Sequence, residues 1–177
     1  PLTSNWLVGG FVYGIVVKWE WEGITMSYEI NLNNYIESIG KKSYGLAGIG
    51  LRDLISDIEH CHGEIITRND NYLFYAKGFF RNEITDKLYF FGKENIKIAN
   101  INKGEKGNPD GTMTIDVFKK SDIESIKLTL GIDYFIELRL IIKDYGEIVF
   151  NNEQDSDGYQ KNALKEQIKQ IYELIIK

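Results

Sequence analysis

The chain has one cysteine, two histidines and two prolines among its 177 residues. A lone Cys61 forms no internal disulfide, and sulfurs are too few for a structural zinc site of the usual four-ligand kind, which fits a reducing, cytoplasmic setting. No run reaches the roughly 20 apolar residues that a membrane helix needs. The start also lacks the basic region of a secretory signal, so a soluble protein is expected. Positive charge is in deficit: 21 Lys and Arg stand against 26 Asp and Glu, a formal net charge of -5. That balance argues against a general binder of phosphate backbones, which needs a basic face to displace counterions. No nucleic-acid partner, membrane partner or cofactor is expected.

What is present suits one main domain with a core. Hydrophobic residues make up 43% of the chain, aromatics 13% and charged residues 27%, too apolar for disorder. The abundance of Ile, Asn, Lys and Tyr is the usage of an AT-rich genome, such as that of a low-GC bacterium or its phage.

Residues 1–25 form an apolar extension without an initiator methionine. Met26 opens a polar stretch, and the codons of Trp21-Glu22-Gly23 accommodate a ribosome-binding sequence, so Met26 is the expected biological start. Within the extension Val17, Trp19 and Trp21 alternate with Lys18, Glu20 and Glu22. This period of two puts apolar side chains on one face of a strand and charges on the other. Such a strand can pair with an exposed sheet edge, its own or a neighbour's, which is a route to a homo-oligomer.

Residues 26–63 read as a small helical subdomain. "NNYIESIGKK" predicts a short helix capped by Asn33 or Asn34 and stopped at Gly40. Leu51, Leu54, Ile55 and Ile58 then mark one face of a second helix, with Arg52, Asp53, Asp57 and Glu59 turned to water and Gly63 as its end.

Residues 64–177 change to strand periodicity. Strands are predicted at 71–80, 86–92, 95–101, 112–118, 123–130, 135–142 and 147–150, with no helix among them, which makes an antiparallel system. Met113, Ile115 and Val117, then Ile126, Leu128 and Leu130, then Ile136, Leu138, Leu140 and Ile142 are the expected buried rows. Residues 102–111 predict an exposed hairpin loop closed by a turn at Asn108-Pro109-Asp110-Gly111. A C-terminal helix follows a capping box at Asp157 and Gln160, its stripe being Leu164, Ile168, Ile171, Tyr172 and Ile175. A helix this amphipathic is marginal alone and must lie on the sheet.

"LYFFGKENIKIANI", "FKKSDIESIKLTLG", "FIELRLIIKDYGEIVFNN" and the final helix together resemble the bacterial pleckstrin-homology-like and GRAM-like domains. The phrase Ser121 to Ser125 looks like the family's polar strand entry. The resemblance spans residues 71–177 and is to small proteins of Bacillus-type bacteria and their phages. It implies an α+β fold: a seven-stranded antiparallel barrel or curved sheet capped by a C-terminal helix, with residues 26–63 as an added helical subdomain. It also implies a binding role, mostly toward proteins. Phosphoinositide binding is disfavoured, because Lys77, Arg81 and Lys87 are offset by Glu83 and Asp86.

The chemical candidates are few. Consecutive residues on a helix point about a hundred degrees apart, so His60, Cys61 and His62 do not converge on one metal. They are expected to end the helix, the imidazoles favouring its negative end and Cys61 a small buried apolar residue. Glu153, Asp155 and Asp157 before Gly158 have calcium-loop spacing, but the closing acid position is Leu164. "GLAGIG" at 45–50 lacks the strand and the Lys-Ser/Thr of a phosphate loop. Lys103 and Lys106 with Glu105 read as a solvated loop tip. No catalytic or metal residue is assigned, and binding residues are not identifiable. The expectation is a non-enzymatic interaction module acting through protein contacts. The alternatives are a phage assembly protein using strand exchange, and a small hydrolase or metal protein centred on His60, Cys61 and His62.

Overall fold

The computed structural model describes residues 30–42, 46–63, 66, 72–77, 84–107, 109–156 and 161–177. The expected strand at Val17 to Glu22 and the capping box at Asp157 and Gln160 lie outside the described residues, as do Arg81 and Glu83.

Helix α1 spans Leu32–Lys42 and α2 spans Leu46–His62. The cap of α1 is Asn31, not Asn33 or Asn34: its Oδ1 accepts the Asn34 N–H at 2.8 Å, the bond that an N-cap residue makes to the third helical position. Gly40 does not stop the helix. Glycine ends a helix where a left-handed residue is needed, and inside a continuing ladder it costs only about 1 kcal/mol. Leu32, Tyr35, Ile36 and Ile39 are buried on α1, and Leu51, Leu54 and Ile55 on α2, so each helix buries one stripe. Gly63, at φ +80°, follows α2 as the sequence predicts.

Among the described residues seven antiparallel strands follow: β1 Leu73–Ala76, β2 Lys87–Phe91, β3 Asn95–Lys103, β4 Pro109–Lys119, β5 Ile123–Leu130, β6 Ile136–Ile142 and β7 Gly146–Asn151. They form a four-stranded sheet in the order β1-β2-β3-β4 and a three-stranded sheet in the order β5-β6-β7. Helix α3, Lys161–Ile176, completes the α+β fold.

Of the predicted turn at 108–111, residues 109–111 belong to β4. β4 already begins at Pro109, opposite Lys103, and the hairpin reverses earlier, through a 3-10 turn at Glu105–Gly107. The register between β3 and β4 shifts between Ile101 and Lys103, with Gly111 at φ +86° and the Asp110 carboxylate accepting the Thr112 N–H. A residue pair that reads as a turn therefore serves a bulge, which needs the same positive φ.

Along β1 and β2 the first sheet is covered on both faces. Phe74 and Phe90 point toward the helices, where the Tyr35 ring lies 5.8 Å from Phe74 and the Tyr35 hydroxyl accepts the Thr85 N–H. Tyr75, Tyr89 and Phe91 point the opposite way, each within 5.6 Å of the Phe150 ring of β7 in edge-to-face geometry. The layers are thus helices, first sheet and second sheet. α3 packs against β1, β6 and β7, burying Leu164, Ile168, Ile171 and Ile175. Gln167, on the same stripe, donates its amide to the Phe74 carbonyl.

Two polar links seal this core. The Tyr75 hydroxyl donates to Asp155 Oδ2 at 2.8 Å, and the same oxygen accepts the Asn151 N–H. Asp155, read as part of a calcium-like spacing, is a buried internal acceptor. Lys120, in the link between β4 and β5, donates to the Leu174 carbonyl near the end of α3, where lysine also meets the helix's negative pole.

Candidate functional site

The His60, Cys61 and His62 cluster occupies the last turn of α2, and all three residues are exposed. Cys61 is therefore not the buried apolar residue expected: the stripe of α2 runs through Leu51, Leu54, Ile55 and Ile58, and position 61 lies on the rim of that stripe. Among the described residues no three His, Cys, Asp or Glu side chains gather as ligands. His62 instead borders an open groove of about 510 Å³ between α2 and β4, walled by Ile58, Met113, Ile115 and Val117.

The "GLAGIG" glycines Gly48 and Gly50 lie in the first turns of α2. A side-chain carbon at Gly50 would sit 3.6 Å from the Pro109 ring, an ordinary contact, so the position marks the approach of α2 to β4. Lys87, weighed as a phosphate ligand, donates to the Tyr145 hydroxyl at 2.9 Å between the two sheets. It is engaged in joining layers.

The surface that stands out is at β4 and β5. Their apolar rows were expected to be buried, and they are not. Met113, Ile115, Ile126 and Leu128 are half-buried, Val117 is 58% exposed and Leu130 is 67% exposed. The reason is topological: β4 and β5 are the outer strands of their sheets, and neither is flanked by another strand on its far side among the described residues. The adjacent β6 row, in direct register through Ile126 opposite Leu140, Leu128 opposite Leu138 and Leu130 opposite Ile136, is wholly buried.

The apolar surface continues past β5 into its hairpin. Ile132 is 89% exposed and Tyr134 is 66% exposed. The turn is held by the Phe135 N–H donating to the Ile132 carbonyl, with Asp133 and Tyr134 at φ 56° and 69°. Two successive positive φ values make the mirror-image hairpin turn that Asn and Gly prefer, and a tyrosine there carries strain. Lys165 of α3 lies 4.5 Å from the centre of the Tyr134 ring. Residues 131–134 fall between the strands predicted at 123–130 and 135–142, and the pattern assigns them no role. The available signal was an isoleucine and a tyrosine where turns are ordinarily polar.

The outer face of the second sheet is charged. Arg139 pairs with Glu137 at 2.7 Å and with Glu147 at 3.2 Å. The hydrogen bond from Arg139, supported by one from Asn151, holds the Glu137 carboxyl below its usual range. Lys127 on β5 stands directly opposite Arg139 and forms no ion pair among the described residues. β5 thus presents a half-covered apolar row on one face and, on the other, a lysine whose neighbouring carboxylate, Glu137, is already bonded by Arg139. No protein-family model matches the chain, and no curated protein matches it.

Proposed function

We propose that this chain is a non-enzymatic, pleckstrin-homology-like interaction module that acts through protein contacts in the cytoplasm of a low-GC bacterium or under the direction of its phage. Support for the plan comes from the four-plus-three antiparallel strand order followed by a helix on β1, β6 and β7, to which α1 and α2 are added as an outer layer. The finer form, a seven-stranded barrel sealed by α3, is part of the same proposal. The polar entry to β5 fits as well, since Asp122 accepts the Lys119 N–H and β5 starts at the next residue, Ile123.

The observation that carries the binding role is the exposure of three large apolar side chains within five residues, Leu130 at the end of β5 and Ile132 and Tyr134 in its strained turn. Large exposed apolar patches mark contact sites. The test replaces Ile132 by Asp and Tyr134 by Ser. A protein captured by the parent chain and lost by this variant, at unchanged thermal stability, is the expected result. Turnover on a broad hydrolase panel that disappears in Cys61→Ala would overturn the reading in favour of an enzyme.

A further inference from the structure

We infer that the β5 edge accepts residues 15–22 of a second copy of this chain, IVVKWEWE, as a fourth strand of the second sheet. The inference deepens the protein-contact reading and rests on it.

The edge itself defines what can pair with it. On the core side it offers Ile126, Leu128 and Leu130, beside the buried Leu140, Leu138 and Ile136, so an added strand must bring apolar residues at every second position. On the outer side it offers Lys127, already opposite Arg139, whose two carboxylates are Glu137 and Glu147. A basic strand therefore meets two cations, Lys127 and Arg139, that share the carboxylates Glu137 and Glu147, and pairing of β5 with its own copy about Lys127 sets lysine against lysine. Edge lysines commonly block pairing in this way. A strand with carboxylates between its apolar residues is admitted.

Residues 15–22 meet both conditions: Val17, Trp19 and Trp21 share one face, and Lys18, Glu20 and Glu22 share the other. With the tryptophans laid over the half-covered row, Glu20 or Glu22 falls beside Lys127. The donor is assigned to a second copy because of where the described chain begins. The described chain begins at Ile30, next to α1, and α1 packs on the face of the first sheet turned away from β5. The seven residues 23–29 span about 25 Å at full extension. Exchange in both directions closes a two-fold dimer. A chain beginning at Met26 lacks the donor and accepts without giving.

Light scattering over a dilution series tests this with the full chain, the chain from Met26, Lys127→Glu, Glu20→Lys with Glu22→Lys, and the combination of all three substitutions. The full chain is expected to be a dimer. Truncation abolishes it, and either charge reversal alone raises the dimer dissociation constant by about tenfold. The triple variant recovers the parent value, which a merely structural effect would not produce. A full chain that is monomeric at every dilution, including one whose β5 amides are protected from exchange by its own segment, overturns the inference. So does a dimer indifferent to truncation or to charge reversal. None of these outcomes bears on turnover, which alone decides between module and enzyme.

Discussion

The two sheets use the same alternation of apolar and polar residues and end in opposite situations. The first is an inner layer along β1 and β2, half-open at its outer strand β4: Phe74 and Phe90 meet the helices, Tyr75, Tyr89 and Phe91 meet the second sheet, and β2 is buried at Leu88, Tyr89, Phe90 and Phe91 in succession. The second is an outer layer, buried on one face along β6 and β7 and open at β5. Burial thus follows a strand's place in the stack rather than its pattern. "KLYFF" is covered all round because two layers flank it, whereas "IKLTL" is half-open because nothing described lies beyond its edge.

The comparison breaks most severely at Phe150, where the sheets meet. Phe150→Ala removes a fully buried ring that three aromatic rings surround, and a loss of about 3–5 kcal/mol is expected in urea unfolding. Next comes Tyr75→Phe. Deleting the hydroxyl leaves the buried Asp155 carboxylate with one partner fewer, for a loss of about 1–3 kcal/mol.

Alkaline pH tests the same layer. Burial first, and then the neighbouring acidic groups, raise Tyr75 well above its ordinary value of 10.0, and Tyr89 is raised mainly by burial. A group whose folded pKa is raised stabilises the fold below the unfolded pKa and loses that contribution as pH rises, because the unfolded chain ionises first. Stability should therefore be flat from neutrality to about pH 9 and fall above about pH 10. Tyr75→Phe with Tyr89→Phe should flatten the fall, measured as urea midpoints across the range.

A smaller effect is expected where α3 meets β1. Gln167→Ala withdraws the amide from the Phe74 carbonyl and should cost about 1 kcal/mol by thermal unfolding. The smallest is at the open edge: Leu130→Ser, at 67% exposure, should change the stability of the chain beginning at Met26 by under about 0.5 kcal/mol. A large loss at Leu130 would show that the second sheet is covered after all and would erase the contrast.

Much of the fold was legible. Six of the seven strands, β2 to β7, were placed to within a few residues, because turns such as Asp144-Tyr145-Gly146 combine composition with a positive φ that few residues tolerate. The stripes of α2 and α3 were legible from spacing alone. The bulge at Gly111 was not, since glycine announces a left-handed residue without saying whether the chain turns or bulges there. Nor were the exposure of Cys61, the buried amide of Gln167 or the exposed row of β5, which depend on neighbours distant in sequence.

By itself, then, the sequence determined the local periods: which segments are helix or strand, and which side chains share a face. Those follow from backbone geometry and from the short-range fit of side chains to it. Only the tertiary structure decided which of those faces are covered. That outcome depends on how seven strands divide into four and three, and on where α1, α2 and α3 then lie. Coverage is a sum over contacts between distant residues, and no stretch of β5 records that its sheet ends there.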